Sequence, residues 1–430
     1  MISKRWIIWH GKYIKLYISF CTAIYTDGGL HMSKTKRSTL YLLLINIFIV
    51  FLGIGLVIPV LPSIMNELNI SGTTVGYLTA IFALTQLIIS PFAGKAADKF
   101  GRKIMIVIGL FIFSVSELLF GIGETIELLF ISRVLGGVSG ACIMPAVTAF
   151  IADITTMETR PKMLGYMSAA ITTGLIIGPG VGGFLAEIGT RVPFYSASVL
   201  GFVAALLSVM LLKEPASPQE EIEAEGLIEK KSGLKKIFMP MFFIAFVVIF
   251  VSTFGLTAFE SFFSLYVDHK FAFSPLDIAI SITGGAIIGA IFQIVLFEPL
   301  VKHLGEINMI RWSLVLSAIL VFTMTLVSSY WTVMTVTFTV FIGADLIRPA
   351  VTMYLSRIAG NEQGFVGGMN SFFTSLANVF SPILGGFLFD INIDYPYYFS
   401  TVVIIIGLAI TILWKKPKTE ELNLSKKSTL

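Results

Sequence analysis

Four ionisable side chains, Arg133, Glu260, Asp345 and Arg348, lie deep inside long apolar stretches of this sequence. In hydrocarbon each would cost about 3 kcal/mol or more unless it were paired or wetted, so such residues mark pairing or function. Asp345 and Arg348 are three apart, share one helix face and can partly neutralise each other. Glu260 has no opposite charge nearby in the sequence. A carboxyl group taken into a low-dielectric cavity favours its neutral form, so it can hold a proton near neutral pH and surrender it when water or a cation arrives. The chemistry on offer is reversible proton binding and attraction of cations, against the plainer reading of a purely structural pair network. A fifth acid, Glu117, falls toward the outer end of its stretch, where snorkelling to the interface competes with any function.

Positioning these groups takes elements that cross hydrocarbon. The 430 residues are 56% hydrophobic and 13% charged, with mean hydropathy +0.88, too apolar for one water-soluble core. Apolar stretches of roughly 20 residues match the length a helix needs to span a bilayer. Twelve follow residue 38, over about 39–61, 73–93, 104–123, 126–149, 164–186, 193–212, 240–266, 277–300, 309–328, 331–355, 364–389 and 395–414, which predicts an all-α membrane protein of twelve spans. Loop lysines and arginines from Lys34 onward fall on one side of the membrane, except Arg191 and Lys270. The positive-inside rule then puts both termini and the central loop in the cytoplasm. The apolar run Leu16–Tyr25 is too short to span and is crowded by Lys12 and Lys15, so residues 1–31 are expected to be an N-terminal extension, with Met32 the natural start. Residues 415–430 are expected to form a cytoplasmic tail.

Other chemistries are excluded. Cys21 and Cys142 offer neither a metal cluster nor a disulfide, and His269 and His303, expected in loops, are not spaced as metal ligands. The sequence contains no Gly-Lys-Ser/Thr phosphate loop for ATP. We therefore expect no metal, no cofactor, no nucleic acid and no enzyme activity, and a monomer in the lipid bilayer.

Residues 214–238, with five glutamates between Glu220 and Glu229 followed by four lysines, divide bundles at 38–213 and 239–414. At a constant offset of 203, Gly165, Ser168, Pro179, Gly182, Gly183, Phe184 and Leu185 match Gly368, Ser371, Pro382, Gly385, Gly386, Phe387 and Leu388. The halves thus read as copies, as in transporters built from parallel six-helix repeats. Between spans 2 and 3, Gly94, Asp98, Gly101, Arg102 and Lys103 are expected in a loop whose glycines permit a tight turn, with Asp98 accepting from Arg102 or a helix N-terminus. The matching place in the second half keeps Leu304 and Gly305 but has Lys302 where the acid would be, which puts a second latch in doubt. In span 5, Gly174, Gly178, Pro179, Gly180 and Gly183 allow close helix approach and a bend.

The 94–103 string resembles the loop motif of the major facilitator superfamily, and the span 5 string resembles the motif of its antiporter branch. The segment Leu52 to Pro62 resembles a motif of the twelve-helix drug:proton antiporters, and Ile131 to Gly137 the motif with a buried arginine. With Ser114 to Glu117, Phe254 to Glu260 and Phe341 to Pro349, the resemblance covers about residues 38–414 and narrows to the Gram-positive multidrug exporters of the Bmr and NorA type. It implies two pseudo-symmetric six-helix bundles in the major facilitator fold, a span 5 that seals the outward side, and proton-driven export of lipophilic, often cationic drugs, dyes and fluoroquinolone-like compounds. Glu260 and Asp345 would handle protons and cations, and Arg133 would join the charge network of the first half. The same resemblance puts Phe51, Ile54, Ile58, Phe82, Gln86, Met144, Ile171, Phe259, Phe263, Gln293, Phe341 and Asn378 around a central cavity. Aromatic faces and a few amides suit flat cations. Proton-coupled uptake of a small nutrient and a non-transporting receptor stay open as alternatives.

Overall fold

The computed structural model describes residues 34–214, 240–359 and 363–413. The extension 1–31, the linker after Glu214 and the tail 415–430 lie outside them. The described residues form twelve helices long and apolar enough to cross a membrane. Helix α1 is Lys34–Val57, carried on by a 3-10 turn at Ile58–Val60, where Pro59 interrupts the α-helical bonding, and by the short helix Leu61–Leu68. There follow α2 (Gly72–Phe100), α3 (Arg102–Ile122), α4 (Ile126–Ile154), α5 (Arg160–Ala186), α6 (Val192–Leu211), α7 (Pro240–Phe271), α8 (Pro275–Leu304), α9 (Glu306–Leu326), α10 (Tyr330–Ala359), α11 (Gln363–Ile391) and α12 (Tyr395–Leu413).

Several helices run beyond the hydropathy limits, because lysine, alanine and glutamate are good helix formers once a helix leaves hydrocarbon for water. One expectation is corrected by this. Gly94 to Phe100 are not loop but the last two turns of α2, and the whole connection to α3 is Gly101, at φ +103°. Gly305, at φ +74°, makes the same one-residue turn between α8 and α9. A side chain strains the backbone there, which is why glycine stands at both. His269 and His303 likewise sit in the last turns of α7 and α8, not in loops.

Ions fasten both turns. Arg102 pairs with Asp98 and, at 3.3 Å, with Asp153 of α4. The helix N-terminus that Asp98 could have capped is taken instead by Glu214, whose carboxylate accepts from the amides of Arg102 at 2.5 Å and Lys103 at 2.9 Å. The second half lacks the Asp98 contact but is not without a clasp: Glu306 of α9 lies 3.3 Å from Arg357 of α10, the Arg102–Asp153 pair with its charges exchanged.

The internal repeat has a three-dimensional meaning. Gly182 packs on Leu56 of α1 and its match Gly385 on Phe262 of α7, each within its own half. The next residues cross over: Gly183 meets Pro275 and Ala279 of α8, and Gly386 meets Gly72 and Thr73 of α2. Matched glycines therefore make matched contacts in each half.

The crossing contacts gather at the end opposite the Gly101 and Gly305 turns. There the Asp390 carboxylate accepts from the Gly72 amide at 2.6 Å and the Thr73 amide at 2.8 Å, sitting on the N-terminus of α2. Asn66 donates to Asp268 at 3.0 Å, and the Thr283 hydroxyl to the Ile176 carbonyl at 3.1 Å. One buried apolar cluster runs through this end from Val57, Ile64 and Phe194 into Phe262, Tyr266 and Tyr397, while another, with Leu43, Ile47, Phe113 and Phe150, belongs to the first half alone. At the opposite end the Cβ positions of Gly94, Gly165, Gly305, Gly367 and Gly368 have nothing within 4 Å. The halves meet at one end and part at the other.

Candidate functional site

In the second half the site is built by register. Gly285 and Gly289 are four apart on α8, and Phe341 and Asp345 four apart on α10; each glycine faces one of those side chains, so a Cβ on Gly285 would run into Phe341 and one on Gly289 into Asp345. Arg348, three residues on, is turned toward α7, where its Nη2 lies 3.2 Å and 3.1 Å from the two carboxylate oxygens of Glu260. Asp345 and Arg348, expected to neutralise each other in part, do lie in each other's field, and Glu260, with no opposite charge nearby in the sequence, finds one in space. The direct pair joins Glu260 to Arg348 across two helices. Asp345 lies within electrostatic reach of both but in no ion pair among the described residues. Sequence spacing could show that Asp345 and Arg348 share a face, not which neighbouring helix each would meet.

The side chains of Arg348 and Glu260 are 56% and 38% exposed, so this bridge is not sealed in the core. Exposed ion pairs contribute only about 0–1 kcal/mol, so a proton or an arriving cation can part this one at little cost. Beside it, α7, α10 and α11 enclose a cavity of about 240 Å³ lined by Ser252, Thr253, Arg348, Thr352, Asn370, Thr374 and Asn378 among others. Asn378, expected at the cavity, is held by a hydroxyl of α7, Thr257 donating to its Oδ1 at 3.2 Å.

The first half holds its charges more tightly. Ser116 and Ser132 each donate to the other's carbonyl at 2.8 Å, clamping α3 to α4, and Ser114 and Ser198 do the same between α3 and α6. Between these clamps Glu117 is 2% exposed, and its Oε2 has no hydrogen-bond partner among the described residues. The snorkelling reading of Glu117 is therefore corrected: packing against α4 and α6 keeps it from the interface. It lies within electrostatic reach of Arg133, whose guanidinium stands 4.1 Å over the Phe120 ring. Removing one partner of a buried charge pair costs about 3 kcal/mol. Glu117→Gln and Glu117→Leu both leave Arg133 without its counter-charge, so each should lower the thermal unfolding midpoint in detergent by several degrees; an unchanged midpoint in Glu117→Gln would show that the pair does not hold the half together.

The expected cavity residues do not form one wall. Phe51, Ile54, Met144 and Ile171 are partly buried at the edge of the first-half core, and Ile58 is partly buried in the 3-10 turn. Phe82 and Gln86 lie over Gly136 and Gly140 of α4. Gln293 is partly buried one turn beyond Gly289. Phe259 and Phe263 are corrected: both are 2% exposed in the second-half core, with Phe259 edge-on to Tyr397 of α12 at 5.4 Å. Successive helical residues point about 100° apart, so with Glu260 on the open side Phe259 turns away from it. In α5, Gly174 and Gly178 rest on the α1 backbone at Leu52 and Gly55, with Pro179 touching Gly55, while Gly180 and Gly183 face Thr283 and Ala279 of α8. That glycine string serves two partners, one in each half.

Sequence reading missed Glu214 and Asp390 as helix N-terminal partners, although each is an acid next to the end of an apolar stretch. It also missed Ser252 and Thr374, small hydroxyls that look like ordinary helix residues.

Comparison with known proteins fits this geometry. The Major Facilitator Superfamily model matches residues 43–296 and 245–429. This chain belongs to the major facilitator superfamily. Among curated members, it is 64% identical to Multidrug resistance protein 1 of Bacillus subtilis (strain 168) over 384 residues, covering 89% of this chain and 98% of that protein. It is 45% identical to the Quinolone resistance protein NorA of Staphylococcus aureus (strain MRSA252) over 385 residues, covering 89% and 97%. Among solved structures of the fold, a bacterial homolog of the human lysosomal transporter Spinster, inward-facing and unoccupied, superposes with a TM-score of 0.76 at 16% identity, covering 90% of this chain and all of that one. The nucleoside transporter NupG superposes with a TM-score of 0.73 at 15% identity, covering 89% and 100%. This major facilitator protein is a multi-pass protein of the bacterial cell membrane.

Proposed function

We propose that the protein is a multidrug exporter that exchanges protons for lipophilic, often cationic compounds such as dyes and fluoroquinolone-like drugs. The observation that carries the reading is the part-exposed Glu260–Arg348 pair with Asp345, packed on Gly289, alongside: two carboxylates within reach of one arginine. The names of the relatives support the drug class. By the positive-inside rule the end bearing Gly101 and Gly305 is cytoplasmic, so a molecule closed at the Asp390 end is in its drug-loading state. Opened outward, Glu260 or Asp345 takes a proton. Turned inward, the site admits a lipophilic cation, the proton leaves to the cytoplasm, and the cation is carried out when the halves rock back. Competition between proton and drug is the coupling, the proton gradient supplies the drive, and no cofactor is needed.

In everted vesicles with an acid lumen, ethidium should move inward and its addition should dissipate the pH gradient. Proton flux in the same direction as the solute would overturn the antiport reading and favour nutrient uptake by the same fold.

A further inference from the structure

The cavity behind Arg348 is unlike a site for cations. Its lining has one guanidinium, several hydroxyls and two amides, and none of the residues walling it is acidic. Its donors are also unspent. Both hydrogen bonds of Arg348 to Glu260 leave through Nη2, so Nε and Nη1 make none among the described residues. Asn378 receives the Thr257 hydroxyl on its Oδ1, which leaves its amide N–H groups to the cavity. Ser252 is 3% exposed, and its hydroxyl has no partner among the described residues. An unmet buried hydroxyl costs about 1–3 kcal/mol, and an acceptor-rich guest would recover that.

We propose that this chamber between α7, α10 and α11 binds the carboxylate of zwitterionic aromatic substrates, a subsite distinct from the acids that attract their cationic end. The proposal rests on the export reading only for calling the guest a substrate. Planar carboxylates suit a guanidinium fork, and both forks of Arg348, Nε with Nη2 and Nη1 with Nη2, include the nitrogen that Glu260 holds, so a guest carboxylate takes one by sharing or displacing Glu260 there. The Ser252 and Thr374 hydroxyls and the Asn378 amide, all on the lining, would close on the remaining lone pairs. Apolar Leu256, Ile347 and Val351 on the same walls would receive the ring that carries the acid. Arg348 thus stands between two carboxylates, the protein's own and the guest's. A zwitterion docked here weakens the hold of Arg348 on Glu260 and frees that acid for the guest's cationic end.

Rhodamine 110 and rhodamine 123 make the test, because they share one fluorophore and differ only in a free carboxylate against its methyl ester. Binding of each is titrated on the purified full chain in detergent, which needs no transport and stands apart from the direction of proton flux. Ser252→Ala with Thr374→Val, close to isosteric, should weaken rhodamine 110 about tenfold or more and rhodamine 123 less than twofold, since a hydrogen bond to a charged group is worth at least one decade of affinity. Thr374→Val alone should give an intermediate loss, and an unchanged unfolding midpoint certifies each variant. Equal weakening of both dyes, or no change in rhodamine 110, would overturn the subsite. Ethidium exchange by the unmodified protein tests the export reading separately.

Discussion

Glu260→Gln combined with Asp345→Asn is expected to reduce proton-coupled dye efflux in everted vesicles by about a hundredfold or more, to background, while the protein still inserts and folds normally. Each amide keeps the size of the acid it replaces. The carboxamide oxygen introduced by Glu260→Gln can still accept from Arg348, so neither substitution leaves a cavity and the partly exposed guanidinium keeps a hydrogen-bond acceptor. What disappears is the ability to exchange a proton for a positive charge. The double variant matters because the two acids share one arginine's field: with either alone neutralised, the other remains within reach of Arg348 and of an arriving cation. Single variants should therefore keep part of the activity. The decisive measurement follows ethidium fluorescence and luminal pH together; efflux that persists undiminished in the double variant refutes the role given to these residues.

A comparably large effect is expected from Gly386→Leu, by a different route. Its side chain would strike the backbone of Gly72 and Thr73 in α2, which belongs to the other half. Overpacking against backbone costs about 1–3 kcal/mol or more, and here that cost falls only on the state in which the halves touch. A penalty of about 3 kcal/mol shifts a two-state balance more than a hundredfold, so the variant should fold yet rest with the Asp390 end open and lose export. Gly182→Leu makes the instructive contrast, since its clash with Leu56 lies within one half and should impair folding itself. Cysteines in place of Asn66 and Asp268, in a chain with Cys21 and Cys142 replaced by serine, should cross-link readily in the parent and poorly with Gly386→Leu. Equal cross-linking would show that this glycine does not govern closure.

Much of the architecture was legible because hydropathy reports the length of hydrocarbon crossed, and the glycine and proline register of α5 and α11 reports a duplication. The ions within the spans were legible because charge in apolar sequence is conspicuous. Their partners were not. A helix whose faces all meet apolar surroundings gives no stripe to show which side faces lipid, which a neighbour and which open space. Hence Phe259 and Phe263 were expected at the cavity but are buried in the second-half core, Glu117 was read as able to snorkel but is buried, and spacing showed Asp345 in reach of Arg348 but not the direct contact with Glu260. Helix ends erred for another reason, since hydropathy falls where water begins and the helix continues, as α2 does to Phe100.

The single-residue turns at Gly101 and Gly305 bear on how movement spreads. A flexible connection would let α2 slide against α11 while α3 stayed in place. One glycine, braced by Glu214 on the α3 amides and by Arg102 against Asp98 and Asp153, leaves no slack for that. Displacement of α2 is delivered to α3 and α4 as through a connecting rod, so these three helices must travel together with every turnover.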